Sequence, residues 1–293
     1  MRDVLQELVE LLALERIEEN LFRGQSQDLG WGTVFGGQVL GQALSAAEQT
    51  VPPSRACHSL HAYFLRPGDV SLPVLYAVDR IRDGRSFTTR RVVATQAGHA
   101  IFSLSASFHE AEDGFTHADP MPPTVDPERL IPEAELARRF AARLPPGLAE
   151  RVTAPRPLDL RPVDPQDPFH PPVRPPSRQV WMRANGPLPP DPALHRHLLA
   201  YASDFHFLTT ALQPHGVSWL TPGMQVTSLD HAMWFHAPIR MDDWVLHVMD
   251  SPAAGGSRGL VRGRVYARDG RLLASTAQEG LMRRHTAPPS LPG

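Results

Sequence analysis

Lysine is absent from this sequence, and all 29 basic residues are arginines. With 31 acidic residues the net charge is −2, which does not favour general binding to nucleic acid or to an anionic membrane. The single cysteine, Cys57, excludes an internal disulfide and a cysteine-based zinc site. No uncharged apolar run of about 18 residues occurs, and no cationic N-terminal segment leads into an apolar one. We therefore expect no membrane span and a cytoplasmic location.

Several familiar catalytic motifs are missing as well. There is no H-E-x-x-H, no phosphate loop and no G-x-G-x-x-G register. "GGSRG" at 255–259 matches G-x-S-x-G by letter. However, the alternating "LVRGRVYA" that follows it is typical of a strand, whereas a nucleophile elbow is followed by a helix, so we predict a hairpin turn here. His58 and His61 would point to opposite faces of one strand, which is unsuitable for a shared metal. The sequence predicts neither a metal site nor a cofactor.

Proline divides the chain, because 20 of the 31 prolines fall between Pro120 and Pro192. Proline disrupts helix interiors and central strands, so we interpret the first part of this region as a linker. We predict an N-terminal unit at 1–112, a proline-rich linker at 113–150 with a short helix near 133–143, and a C-terminal unit at 151–287.

The two flanks repeat the same order of elements, a long helix followed by four antiparallel strands. "HAYF" at 61–64 aligns with "HAMW" at 231–234, which indicates a tandem duplication of one α+β unit. Chance similarity of two strands is the alternative. The predicted elements are a helix at 36–50 with strands at 57–65, 73–81, 87–96 and 99–108, then a helix at 194–212 with strands at 224–236, 243–250, 258–267 and 271–283. A further strand is predicted at 178–185.

Three polar side chains stand out on faces that should be apolar or small. Asp204 falls in the apolar stripe of the 194–212 helix, where an unpaired carboxylate is costly to bury. Gln278 is the one amide on its face of the last strand, and Ser228 shares a strand face with Asp230 while His231 points the other way. Each also has an ordinary explanation: a carboxylate at the helix rim, a glutamine bonded to backbone, and a polar strand residue.

The chain resembles the acyl-CoA thioesterase II family, whose members are double hot-dog enzymes. The resemblance covers nearly the whole length and rests on several motifs in one order. These are "FGGQVLGQAL", "HSLHAYFLRPG", "DGRSFTTRRV", "RQVWMRANG", "LAYASDFHFL", "SLDHAMWFH" and "LLASTAQEGLMR".

The resemblance implies an α+β fold in which each unit wraps a curved antiparallel sheet around a central helix. It also implies hydrolysis of fatty acyl-CoA without a metal or a covalent nucleophile. The family pattern of Asp, Thr or Ser, and Gln falls on Asp204, Ser228 and Gln278. In the N-terminal unit Ala106 takes the glutamine position and His58 lies near the serine position, so that unit is expected to be non-catalytic.

Two other functions remain open for this sequence. A hot-dog hydratase or dehydratase would need His231 to turn inward, and a non-catalytic acyl-CoA binder would need no buried acid. Hot-dog units commonly pair through their sheets, so we also expect a homodimer or a higher homo-oligomer. CoA is expected only as part of the substrate.

Overall fold

The computed structural model describes residues 3–144 and 146–285. The N-terminal half contains two helices and six strands. They are α1 Val4–Leu12, β1 Glu15–Glu18, β2 Leu21–Gly24, α2 Gly36–Glu48, β3 Ala56–Phe64, β4 Val74–Asp83, β5 Phe87–Gln96 and β6 His99–His109.

The remainder of the chain supplies four more helices and seven more strands. They are α3 Glu133–Phe140, α4 Pro146–Thr153, β7 Leu158–Pro162, β8 Ser177–Ala184, α5 Pro192–Ser203, α6 Phe207–Leu212, β9 Met224–Ser228, β10 Asp230–Phe235, β11 Val245–Gly255, β12 Arg258–Ala267 and β13 Leu272–Arg284. Short 3₁₀ turns follow α3 and α6.

One continuous sheet joins the two halves. Its strands run in the order β1-β2-β4-β5-β6-β3-β10-β13-β12-β11-β8-β7, with β9 paired to β13 beside this path. The order is symmetric about the antiparallel β3–β10 pair, so each strand of the first half has a counterpart in the second. The predicted α+β repeat is therefore present, and the boundaries 1–112, 113–150 and 151–287 stay predictions.

The two central helices, α2 and α5, pack against each other inside the curved sheet. Glycine makes their close approach possible. A Cβ added at Gly37 would lie 2.2 Å from the Tyr201 carbonyl oxygen, and one at Gly41 would lie 3.0 Å from that of His197. These two glycines are one helical turn apart, so they share the face of α2 that meets α5.

The single helix predicted at 194–212 is wrong. Helix α5 ends at Ser203, Asp204 is its C-cap, and α6 begins at Phe207. Between them His206 adopts a left-handed conformation with φ 66°, which a continuing helix does not allow. The sequence has no glycine or proline at this break, and its apolar residues keep the 3.6-residue period across it, so the period predicts one continuous helix.

The strand predicted at 224–236 is observed as two strands, β9 and β10, with a β-bulge where they meet. Ser228 pairs with Gly280, whereas Ala232 pairs with Ala277, so this strand has one more residue than β13 over the same stretch. The extra residue inverts the side-chain alternation. His231 therefore faces the same side as Ser228, and the expectation that it points the other way is incorrect; Asp230 instead faces outward and accepts a hydrogen bond from the Glu279 N–H at 2.7 Å.

The proline-rich segment does more than connect the halves. The predicted short helix is present as α3, and Glu133 at its start contacts the His206 Nε2 with its carboxylate at 2.7 Å. Leu136, Ala137 and Phe140 of α3 line the large cavity that lies beside α5 and α6. The segment thus forms part of the wall of a cavity between the two halves.

Candidate active site

Asp204 lies where the C-terminus of α5 meets the N-terminus of α2. It caps the C-terminus of α5, where the helix dipole disfavours a negative charge. The N-terminus of α2 approaches it from the other half of the chain. The backbone N–H of Gly37 is close enough to lower the pKa of the Asp204 carboxyl, and a Cβ added at Gly36 would lie 2.6 Å from its Oδ2.

Ser228 and Gln278 meet the carboxylate of Asp204 in a chain of hydrogen bonds. Ser228 Oγ donates to Asp204 Oδ1 at 3.3 Å, and Gln278 Nε2 donates to Ser228 Oγ at 2.7 Å. The structure thus brings the three predicted site residues together. Gln278 is 1% exposed, so its amide is held inside the fold.

His231 extends this chain in a way that the sequence did not predict. Its Nδ1 lies 2.5 Å from Gln278 Oε1, and its Nε2 lies 3.0 Å from Ser203 Oγ. The side chain is fully buried. It points inward, as the hydratase alternative requires, but it is not among the described residues that line the cavity, so it lies behind Gln278 and away from a substrate.

Burial shifts the two ionisable groups of this network in opposite directions. Burial raises the pKa of Asp204, although a positive charge on His231 and the nearby donors of Gln278, Ser228 and Gly37 would act against that rise. Burial lowers the pKa of His231, against the attraction of Asp204. The carboxylate is therefore a stronger base than an exposed aspartate, and the imidazole is neutral.

A cavity of about 830 Å³ opens beside these residues, within the range of small-molecule sites. Asp204, Ser228 and Gln278 lie on its wall. Most of the wall is apolar and comes from both halves and from the proline-rich segment, including Val39, Phe64, Phe102, Phe140, Leu208 and Leu212.

The corresponding place in the N-terminal half lacks these polar groups. Ala106 is buried on β6, and His58 bonds instead to Ser107 Oγ at 2.8 Å. Cys57 is a buried thiol, and burial raises its pKa. Residues 3–144 and 146–285 contain no group of three His, Cys, Asp or Glu side chains placed to hold a metal ion.

No local signal in the sequence reveals the role of His231. The side chain turns inward because of the way β9 and β10 pair with β13. The contribution of Gly36 and Gly37 was less accessible, because it depends on α2 meeting α5 across the two halves. Neither follows from periodicity within one element.

Family models match both halves of the chain. A family model described as acyl-CoA thioesterase matches residues 150–281, and one described as the acyl-CoA thioesterase N-terminal domain matches 26–109. Acyl-CoA thioesterase 2 of Haemophilus influenzae is 44% identical over 97% of this chain and 99% of its own. Human acyl-coenzyme A thioesterase 8 is 41% identical over 93% of this chain and 88% of its own.

Solved structures give the same result. The acyl-CoA thioesterase II TesB2 of Mycobacterium marinum is 40% identical, covers 95% of this chain and 99% of its own, and superposes with a TM-score of 0.76. A hot-dog protein from Alicyclobacillus acidocaldarius, at 21% identity and a TM-score of 0.75, supports the fold. None of the helices within 3–144 and 146–285 is long and apolar enough to cross a membrane. The chain belongs to the acyl-CoA thioesterase II family, has its double hot-dog fold, and is an acyl-CoA thioesterase.

Proposed function

We propose that this thioesterase hydrolyses fatty acyl-CoA by direct attack of a water molecule that Asp204, Ser228 and Gln278 hold. The observation that supports this most strongly is the hydrogen-bonded chain from Gln278 through Ser228 to Asp204 on the wall of one apolar cavity. No metal, cofactor or covalent nucleophile takes part in this proposal.

Asp204 acts as the general base in this mechanism. Its raised pKa makes the ionised carboxylate a better proton acceptor for the attacking water, and general-base help of this kind is typically worth about 10²–10⁴ in rate. Gln278 and Ser228 fix the carboxylate and the water in place, which supplies the positioning contribution. As water attacks the thioester carbon, its proton passes to Asp204 and the carbonyl oxygen becomes an oxyanion. Collapse of that intermediate breaks the C–S bond, the proton held by Asp204 passes to the departing sulfur, and CoA and the free acid are released.

The start of α2 is suited to stabilise the oxyanion. The first N–H groups of a helix have no intrahelical acceptor and lie at the positive end of its dipole. Gly37 N–H acts on the pKa of Asp204, and we assign the neighbouring Gly36 N–H as the donor to the oxyanion. Both residues belong to the half that lacks its own catalytic set, so each half contributes to one site.

The apolar part of the cavity would hold the acyl chain. Burying methylene groups there is favourable by about 0.8 kcal/mol each. Aromatic side chains of both halves form part of this wall, including Phe64 of the first half and Phe205 of the second. A long acyl chain is therefore the substrate class that we propose, and a turnover profile across chain lengths would measure it.

The test is release of free thiol from palmitoyl-CoA by the wild type and by Asp204→Asn. We expect the variant to lose about 10²–10⁴ in kcat. Circular dichroism and thermal unfolding of both proteins provide the folding control. Equal rates would refute the mechanism, whereas an absence of hydrolysis with any acyl-CoA would favour the acyl-CoA binder. Conversion of a 2-enoyl-CoA without thiol release would favour the hydratase.

We also propose that the protein is a cytoplasmic homodimer or higher homo-oligomer. Tyr63 and Trp234 support the assembly, because they lie on the two central strands β3 and β10 and are 62% and 37% exposed on the outer face. Light scattering after size exclusion would test it, and a monomeric mass at micromolar concentration would contradict it.

A further inference from the structure

Gln278 can act in the proposed site only if its amide has the correct orientation. Its Nε2 must face Ser228, because the one hydroxyl hydrogen of Ser228 is donated to Asp204 and Ser228 Oγ can then only accept. A flipped amide would present Oε1 to Ser228, which would draw the hydroxyl hydrogen away from the carboxylate. Another group must therefore favour one orientation of the Gln278 amide over the other.

His231 supplies that discrimination. Gln278 Oε1 and His231 Nδ1 are 2.5 Å apart, a distance at which one of the two atoms must carry a hydrogen. With Oε1 as the acceptor, Nδ1 is the protonated nitrogen. The buried imidazole is neutral, so its Nε2 is an acceptor.

Ser203 is the partner of the other ring nitrogen. Its hydroxyl lies 3.0 Å from His231 Nε2, 2.9 Å from the Ala200 carbonyl oxygen and 3.5 Å from Met233 Sδ, and it has one hydrogen to donate. In our assignment this hydrogen goes to Nε2, which leaves the ring hydrogen on Nδ1. The result is one directional chain of donors that runs Ser203, His231, Gln278, Ser228, Asp204.

We propose that His231, held by Ser203, is a positioning residue that fixes the Gln278 amide with Nε2 toward Ser228. His231 does not touch the substrate in this assignment; it acts through Gln278. The inference rests on the proposed function, since it concerns the same hydrogen-bonded chain. The β-bulge in the strand is what turns His231 to this side, so the bulge has a catalytic consequence.

A double-mutant cycle tests the proposal, with His231→Leu measured in the wild type and in a Gln278→Ala background. We expect His231→Leu to lower kcat about 10-fold in the wild type, the effect of one buried hydrogen bond, with little change in KM. In the Gln278→Ala background the same substitution should change kcat less than about twofold, because the group through which it acts is gone. Equal losses in both backgrounds would overturn the proposal.

His231→Asn provides rescue and does not depend on the leucine variant folding. The Asn amide nitrogen is attached at the same position as Nδ1 and can donate to Gln278 Oε1, so kcat should return to within about threefold of the wild type, a fraction of one hydrogen bond. His231→Gln places its amide near Nε2 instead and should stay impaired. Equal kcat in these two variants would contradict the assignment even if His231→Leu is insoluble.

His247 is a matched control for removing a buried histidine. It is as buried as His231, packs on the same Phe207 ring, and contacts Thr276 Oγ1 at 3.2 Å. We expect His247→Asn to affect unfolding but leave kcat within about twofold, since no hydrogen bond joins it to Gln278. If Gln278→Ala alone retains full kcat, the proposed function fails; if only the cycle shows no coupling, this inference fails and the proposed function stands.

Discussion

Gly37→Ala should impair catalysis although Gly37 lies in the N-terminal half, which does not contain Asp204, Ser228 or Gln278. The new Cβ would lie 2.2 Å from the Tyr201 carbonyl oxygen and 2.5 Å from the Phe35 ring. Ordinary contacts need more than about 3.4 Å, so α2 and α5 must separate by about 1 Å or more. A shift of this size can cost about 10²-fold in rate, because the Gly37 N–H then leaves Asp204 and the start of α2 leaves the thioester.

The same strain should appear in stability. Overpacking costs about 1–3 kcal/mol, and for a chain of this size that lowers Tm by about 2–10 °C. The assays are thiol release from palmitoyl-CoA at saturating substrate and thermal unfolding. We expect kcat to fall about 100-fold while the folded fraction at 25 °C stays near complete.

Gly41→Ala is the control on the same face of α2, one turn further along. Its Cβ would lie 3.0 Å from the His197 carbonyl oxygen and 2.9 Å from the flexible Leu12 side chain. We expect destabilisation with kcat within about threefold of the wild type, since the clash is milder and remote from Asp204. Full kcat in Gly37→Ala, or an equal loss in both variants, would refute the assignment of a site role to the start of α2.

Three further outcomes follow from the contacts of the site. The acid limb of the kcat–pH profile should lie above pH 3.8, because burial raises the pKa of Asp204 and the base must be ionised; a limb at or below pH 3.8 would contradict this. Ser228→Ala should lower kcat about 10-fold while Ser228→Thr keeps most of it, since only the hydroxyl is needed to reach Asp204; equal rates in the two variants would oppose that role. Glu133→Gln should weaken the contact with His206 and destabilise the fold by less than about 1 kcal/mol at pH 7, because the carboxylate is 40% exposed and screened. The pKa of Glu133 is lowered from 4.5 to about 2, chiefly by His206 against the opposing effect of burial. The ionised Glu133 therefore stabilises the fold above pH 4.5, and this contribution is lost as the pH falls toward 2. The free energies of unfolding of the wild type and of Glu133→Gln, measured with denaturant, should converge over that range.

The repeat, the strand periods and the motif residues were all accessible from the sequence, because they depend on local spacing. The alternation in 272–282 correctly put Gln278 on the buried face of β13. The doubling of "HAYF" and "HAMW" predicted that β3 and β10 are equivalent, and these strands pair at the centre of the sheet. Helix α2 was predicted at 36–50 and is observed at Gly36–Glu48.

The breaks in regular structure were not accessible. Helix α5 ends at Ser203 without a glycine, and the left-handed His206 beyond it contacts Glu133 of a distant segment. The bulge between Ser228 and Ala232 depends on how β13 pairs with two successive strands. Both are set by partners far away in the chain, so no window of local sequence contains them.

The sequence by itself determined that Asp204, Ser228 and Gln278 are unusual, since each is polar at a position whose period calls for an apolar or small residue. Only the tertiary structure decided how they work together. The break after Ser203 turns the carboxylate toward the start of α2, and the bulge brings His231 behind Gln278. The physical reason is that a hydrogen bond requires its donor and acceptor to be placed within a few tenths of an ångström and at a suitable angle. Residue spacing fixes only which face of an element a side chain occupies.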